Sequence, residues 1–242
     1  RQRIRSGENY AELWLEIAAL RATQAEEATG EIRQWLLQEA FKALDVANAA
    51  TPGRVFRERS TAEAALLRAW LATMLPENKR QKVLDQAKKL YLRSDDEKIL
   101  ASVESYTPGI GWIMNLAYMA RDQKGSNASN AQKTLMDEAL RLSKDQTFIK
   151  AKQPSQKIFL ADALILFASC IEDKKQKKQL FDQAMATVDR ALKDLNKAQE
   201  EYMGYEDPRL RASILKAVIW LGMAEAAVGE KRDEHLAAAL DT

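Results

Sequence analysis

The chain has little of what most enzymes and small secreted folds are built from. Among 242 residues there is one cysteine, Cys170, and one histidine, His235. A lone cysteine excludes an internal disulfide framework and a cysteine-rich zinc site. A lone histidine restricts any triad or multi-histidine metal site to that one side chain. Nine glycines and five prolines leave few breakers, so long regular elements are favoured. Charge of one sign is missing too: 37 basic residues against 35 acidic ones leave +2, which is not the dominant basic face of a nucleic-acid coat. No apolar run reaches the roughly 18 residues of a membrane span. The longest, 158–171, is interrupted by Asp162 and suits a buried helix. The first residue is Arg1 rather than Met, with no signal-peptide pattern behind it. A signal, an anchor or a neighbouring domain is therefore expected ahead of it, and both cytoplasm and periplasm remain open.

What is present is helical periodicity. Apolar residues recur at three and four, and no sustained alternation of period two appears. The pattern predicts eleven helices, over about 8–28, 31–49, 61–74, 77–92, 94–104, 109–122, 128–143, 154–171, 174–203, 208–228 and 231–240, with bounds uncertain by two to four residues. In the first, Leu13, Ile17, Leu20 and Gln24 form a stripe. Gly30, Thr51-Pro52-Gly53, Pro76, Gly204 and Gly229 mark stops. Ser60-Thr61 with Glu63 is expected to open the third helix, and Asp207-Pro208 the tenth, as N-cap and first helical residue. The segments 93–108 and 144–154 are the expected connections. The last helix is expected to act as a cap.

One short phrase returns on this helical ground: Leu37-Gln38-Glu39-Ala40, Leu84-Asp85-Gln86-Ala87, Met136-Asp137-Glu138-Ala139 and Phe181-Asp182-Gln183-Ala184. The alanines lie 47, 52 and 45 residues apart. A repeat at that period implies stacked helical hairpins, each burying its face on the next. Around the phrase, Ala40, Leu44, Ala47 and Pro52 follow a spacing of four, three and five. Ala87, Tyr91 and Ser94 follow it in part, as do Ala184, Val188 and Ala191, whereas Ala139 meets Ser143 where a large residue belongs. In this the chain resembles the tetratricopeptide repeat. The usual tryptophan and glycine signature of first helices is not clearly met, Trp14 and Ala18 being its nearest equivalents, and the spacings exceed that family's period of about 34 residues. The resemblance implies one all-α domain over 1–242, a right-handed superhelix of about five hairpins. It also implies a concave groove that holds a protein or peptide.

Sites of chemistry are sparse. His235 beside Glu234 reads as a surface or capping residue, and Cys170 as a buried small hydrophobe. Gly109-Ile110-Gly111 is too short for a phosphate loop and follows no strand. Asp95-Asp96 and Glu172-Asp173 fall at helix starts, where capping accounts for them. Lys174-Lys175-Gln176-Lys177-Lys178 reads as a solvated helical turn, or else as a contact for an acidic partner. Asn127-Ala128-Ser129 matches a glycosylation triplet that is common by chance.

Asp162 stands apart, because a carboxylate inside an apolar run must find a partner or a wet groove. Ser155, Asp162 and Ser169 share one face, either a polar stripe paired with a structural arginine or a groove floor. Asn115, Tyr118 and Asp122 oppose Ile113, Leu116, Ala117 and Ala120 on the preceding inner helix. Ser213, Lys216 and Trp220 oppose Ile214, Ala217, Val218 and Leu221 on the following one, although Trp220 could instead pack against the last helix. The partner-groove candidates are thus Asn115, Tyr118, Asp122, Asp162, Ser169, Ser213, Lys216 and Trp220. No catalytic set, cofactor or metal is expected, and no nucleic acid. The expected function is a non-catalytic scaffold for a protein or peptide. The alternatives are a ligand- or peptide-sensing module of a larger regulator, an all-α enzyme, and self-association between copies.

Overall fold

The computed structural model describes residues 5–50, 54–94, 108–123, 128–145, 153–171, 173–198 and 207–242. Within them every regular element is an α-helix. These are α1 (Arg5–Glu27), α2 (Gly30–Ala50), α3 (Arg54–Thr73), α4 (Glu77–Ser94), α5 (Pro108–Arg121), α6 (Ala128–Ser143), α7 (Pro154–Cys170), α8 (Lys174–Ala198), α9 (Pro208–Ala226) and α10 (Glu230–Leu240). The helix expected over 94–104 lies outside the described residues beyond Ser94. So do the turn at 51–53, the end of the ninth expected helix, Gly204, and most of the two expected connections.

Punctuation accounts for most boundaries. Gly30, at φ +58°, and Gly229, at φ +63°, take backbone conformations that favour glycine, and they separate α1 from α2 and α9 from α10. Asp207 caps α9, its Oδ1 accepting from the Arg209 amide at 2.8 Å, with Pro208 next. One start differs from expectation. α3 begins at Arg54, not near Thr61, and Thr61 is a buried mid-helix residue. No glycine or proline lies between 54 and 73, so nothing interrupts the helix before Gly53.

Sequence neighbours pair as hairpins: α1 with α2, α3 with α4, α7 with α8, and α9 with α10. The first helices also touch one another, α1 with α3, α5 with α7, and α7 with α9. This neighbour-on-neighbour packing is compatible with a helical repeat. The chain divides into two compact units, Arg1–Ile99 with Asp122–Asp137, and Leu100–Arg121 with Glu138–Thr242.

The repeated phrase sits on α2, α4, α6 and α8, and its buried face is the same each time. Ala40, Ala87, Ala139 and Ala184 are all 0% exposed, and Leu37, Leu84, Met136 and Phe181 beside them are buried. Alanine at a crossing lets two backbones approach, while the neighbouring large side chain fills the groove. The carboxylate of the third phrase, Glu138, is buried too, held by Arg141 through bonds of 2.9 and 2.7 Å.

The same preference for small residues overturns the expected stripe of α1. Its core seam is Ala11, Leu15, Ala18, Ala22 and Ala25, whereas Leu13 and Leu20 are about half exposed. Four alanines in the seam bring α1 close to its neighbours, and the leucines a few positions round the helix stay outside.

α8 and α9 meet at a point with no slack. A Cβ on Gly222 would fall 2.2 Å from Cζ of the Phe181 ring, which is buried. Gly222→Ala is expected to lower stability by about 1–3 kcal/mol through overpacking. In urea denaturation the double variant with Phe181→Leu should cost less than the sum of the two single changes. Strict additivity would show that the ring does not set this crossing.

Candidate functional site

In the second unit α7 packs against both α5 and α9. On α5 the expected division holds: Ile113, Leu116, Ala117 and Ala120 are fully buried, while Tyr118 is exposed and Asn115 partly so. Asn115 donates from Nδ2 to the Gly111 carbonyl at 2.9 Å, a bond back along its own helix. The Arg121 guanidinium lies 5.1 Å from the centre of the Tyr118 ring. Asp122 is exposed just past the helix end.

On α7, Ser155, Asp162 and Ser169 do occupy the least buried face, alongside Phe159 and Leu166. The Ser169 hydroxyl is spent on the Leu166 carbonyl at 2.7 Å. Asp162 has found a partner on the next first helix: Arg211 Nη2 of α9 donates to its Oδ2 at 3.1 Å. The same guanidinium stacks 4.3 Å above the Phe159 ring. One arginine therefore joins α7 to α9 by charge and by its flat face, the two things a guanidinium does better than an ammonium. The reading of Asp162 as paired with an arginine is the one realised.

α9 corrects the sequence reading. Ile214, Val218 and Leu221, expected inside, are 54%, 40% and 49% exposed, and Leu210 on the same stripe is 62% exposed. The core seam is instead Ala212, Leu215, Ile219 and Met223. The helix is apolar on two sides, so its periodicity alone could not choose between them. Ser213, Lys216 and Trp220 lie on a flank, half-buried, away from that stripe. Lys216 reaches Asp189 of α8 at 3.2 Å, and the Trp220 ring stacks on His235 of α10 at 5.3 Å with 26° between planes. These two side chains tie helices together and do not face outward with Tyr118 and Phe159.

The remaining candidates take structural places. His235 is the platform for Trp220. Cys170 is half-buried at the end of α7, with Ser169 Oγ 3.9 Å from its sulfur. The basic run opens α8, where Lys178 pairs with Asp182 at 2.7 Å and Lys177 approaches Glu225 at 4.0 Å. Among the described residues no three His, Cys, Asp or Glu side chains converge, and no helix is long and apolar enough to cross a membrane. The side chains of α5, α7 and α9 that reach the surface thus include rings, exposed aliphatic groups and a paired charge.

No protein-family model matches the chain, and no curated protein or solved structure is significantly similar to it.

Both members of the Asp162–Arg211 pair are about 30% exposed, so water and salt screen it. Asp162→Asn is expected to cost less than about 1 kcal/mol and to cost less still in high salt. Arg211→Ala should cost more than Asp162→Asn at every salt concentration, because the ring contact is lost as well. Denaturant melts at low and high salt test this; equal costs would mean that the stack on Phe159 contributes nothing.

Proposed function

We propose that this chain is a non-catalytic interaction module of tetratricopeptide-like type. In this reading its hairpins, about five in number, continue as a right-handed superhelix. A protein or peptide partner lies across the outward face of the first helices α5, α7 and α9. The observation that carries the reading is the exposed aliphatic stripe of α9, formed by Leu210, Ile214, Val218 and Leu221. Four large aliphatic side chains in a row on a solvent face have no folding role of their own, and continuous apolar patches of this kind mark association sites.

Neighbouring features fit that use. Tyr118 supplies an exposed ring on α5, and Phe159 a half-exposed one on α7. The Asp162–Arg211 pair supplies polar orientation between α7 and α9. Helices stacked first to first leave shallow grooves between them, into which an amphipathic helix or an extended segment can lay alternate side chains.

The test is capture from native lysate by the purified chain, read by mass spectrometry. A partner bound by the wild type should be lost with Ile214→Asp and with Asp162→Lys, while both variants keep their helical circular dichroism. Trp220→Ala, by contrast, should lower stability and leave capture intact, because its ring serves α10. Equal capture by the wild type, Ile214→Asp and Asp162→Lys would remove the site from this face.

A further inference from the structure

The first unit contains a cleft of about 560 Å³ between the start of α2 and the turn joining α3 to α4. Its apolar wall is Leu37, Phe41, Met74 and Leu75, and its polar rim includes Arg33 and Lys79. No aspartate or glutamate lines it. A volume of this size falls within the range of small-molecule sites, about 300–1,000 Å³.

The electrostatics are unusual for the end of a helix. The carbonyls at the end of α3 and in the turn after it would make this wall negative, yet three side chains cover them. Asn130 Nδ2 donates to the Thr73 carbonyl at 3.4 Å, Arg33 Nη2 to that of Met74 at 3.5 Å, and Arg80 Nη2 to that of Leu75 at 3.2 Å. Two full positive charges thus answer a fraction of a negative one. Lys79 adds a third charge, and the first turn of α2, beginning at Gly30 on the cleft wall, adds the positive end of its dipole. The acids next to these groups in the chain are Glu31, in the first turn of α2, and Glu77, in that of α4, and neither lines the cleft. Arg33, which lines the cleft, has its Nε buried without a hydrogen-bond partner. Buried donors on a charged group are costly to leave unmade.

We propose that this cleft binds a small amphiphilic organic anion. A carboxylate or phosphate head accepts from Arg33 and Lys79, and an apolar body lies on Leu37, Phe41 and Met74. A peptide fits the cleft less well, since the carbonyls that its main chain would use are already taken by Asn130, Arg33 and Arg80. The site belongs to the first unit and does not depend on the α9 face.

The test is calorimetric titration of the whole chain with octanoate, octyl phosphate, octanol and inorganic phosphate, each below its aggregation limit. One or both amphiphilic anions should bind and raise the melting temperature in step with their concentration, which also tells a carboxylate from a phosphate head. Octanol and inorganic phosphate should bind at least tenfold more weakly. Arg33→Gln and the exposed Lys79→Gln should each weaken binding about tenfold, the factor expected for one charge-assisted hydrogen bond. Ile214→Asp should leave it unchanged. Octanol matching octanoate, unaltered binding in Lys79→Gln, tighter binding of a hexapeptide with a free carboxylate, or no binding by either anion would each overturn the proposal.

Discussion

Close approach of helices at alanine is the constraint on which the rest of this structure depends. Ala40, Ala87, Ala139 and Ala184 have no exposed surface, and each has a large buried residue three positions before it. Where side chains at a crossing are small, interaxial distance is short, and grooves fill only if the neighbours are bulky. The seam of α1 and the absence of any side chain at Gly222 are the same solution in other places. Close-packed seams also have a consequence for the surface: large aliphatic residues that the alanine seam of α1 does not admit lie outside, as Leu13 and Leu20 do.

Much of the helical layout was legible in the order of residues, because the signals were local. Gly30, Pro154, Asp207-Pro208 and Gly229 act through their own backbone, and they stand where the helices change. The repeated phrase was legible for a related reason, since a small residue at a crossing leaves the same trace each time. The inside of α9 was not legible. Leu210, Ile214 and Leu221 share one face and Leu215, Ile219 and Met223 another, and periodicity gives both the same weight. The helices packed around α9, namely α7, α8 and α10, decide which face is turned in.

The polar candidates divide along similar lines. Asp162 announced itself by its cost inside an apolar run, and the structure answers with Arg211, 49 residues later. Trp220 and Lys216 looked like surface anchors but are ties to α10 and α8. The cleft of the first unit left no trace in the sequence, because Arg33, Lys79 and Asn130 come from three elements and none belongs to a recognisable motif. What marks it is the convergence of Arg33, Lys79 and Asn130 on one apolar-walled cleft with no carboxylate in its lining, a property of the folded arrangement.

Asn130 has a further significance. It holds the Thr73 carbonyl across 57 residues of chain, and it belongs to a stretch that completes the first unit only after the residues of α5 have been made. During synthesis the hairpins α1/α2 and α3/α4 can close as soon as each has left the ribosome, since their partners are sequence neighbours. The unit itself cannot. Until residue 130 emerges, the end of α3 stays uncovered on one side while the beginning of the other unit is already outside the tunnel. Vectorial folding of this chain is therefore interleaved, and a pause after Ser94 has emerged but before residue 130 is made would leave a four-helix intermediate whose missing piece has yet to be translated.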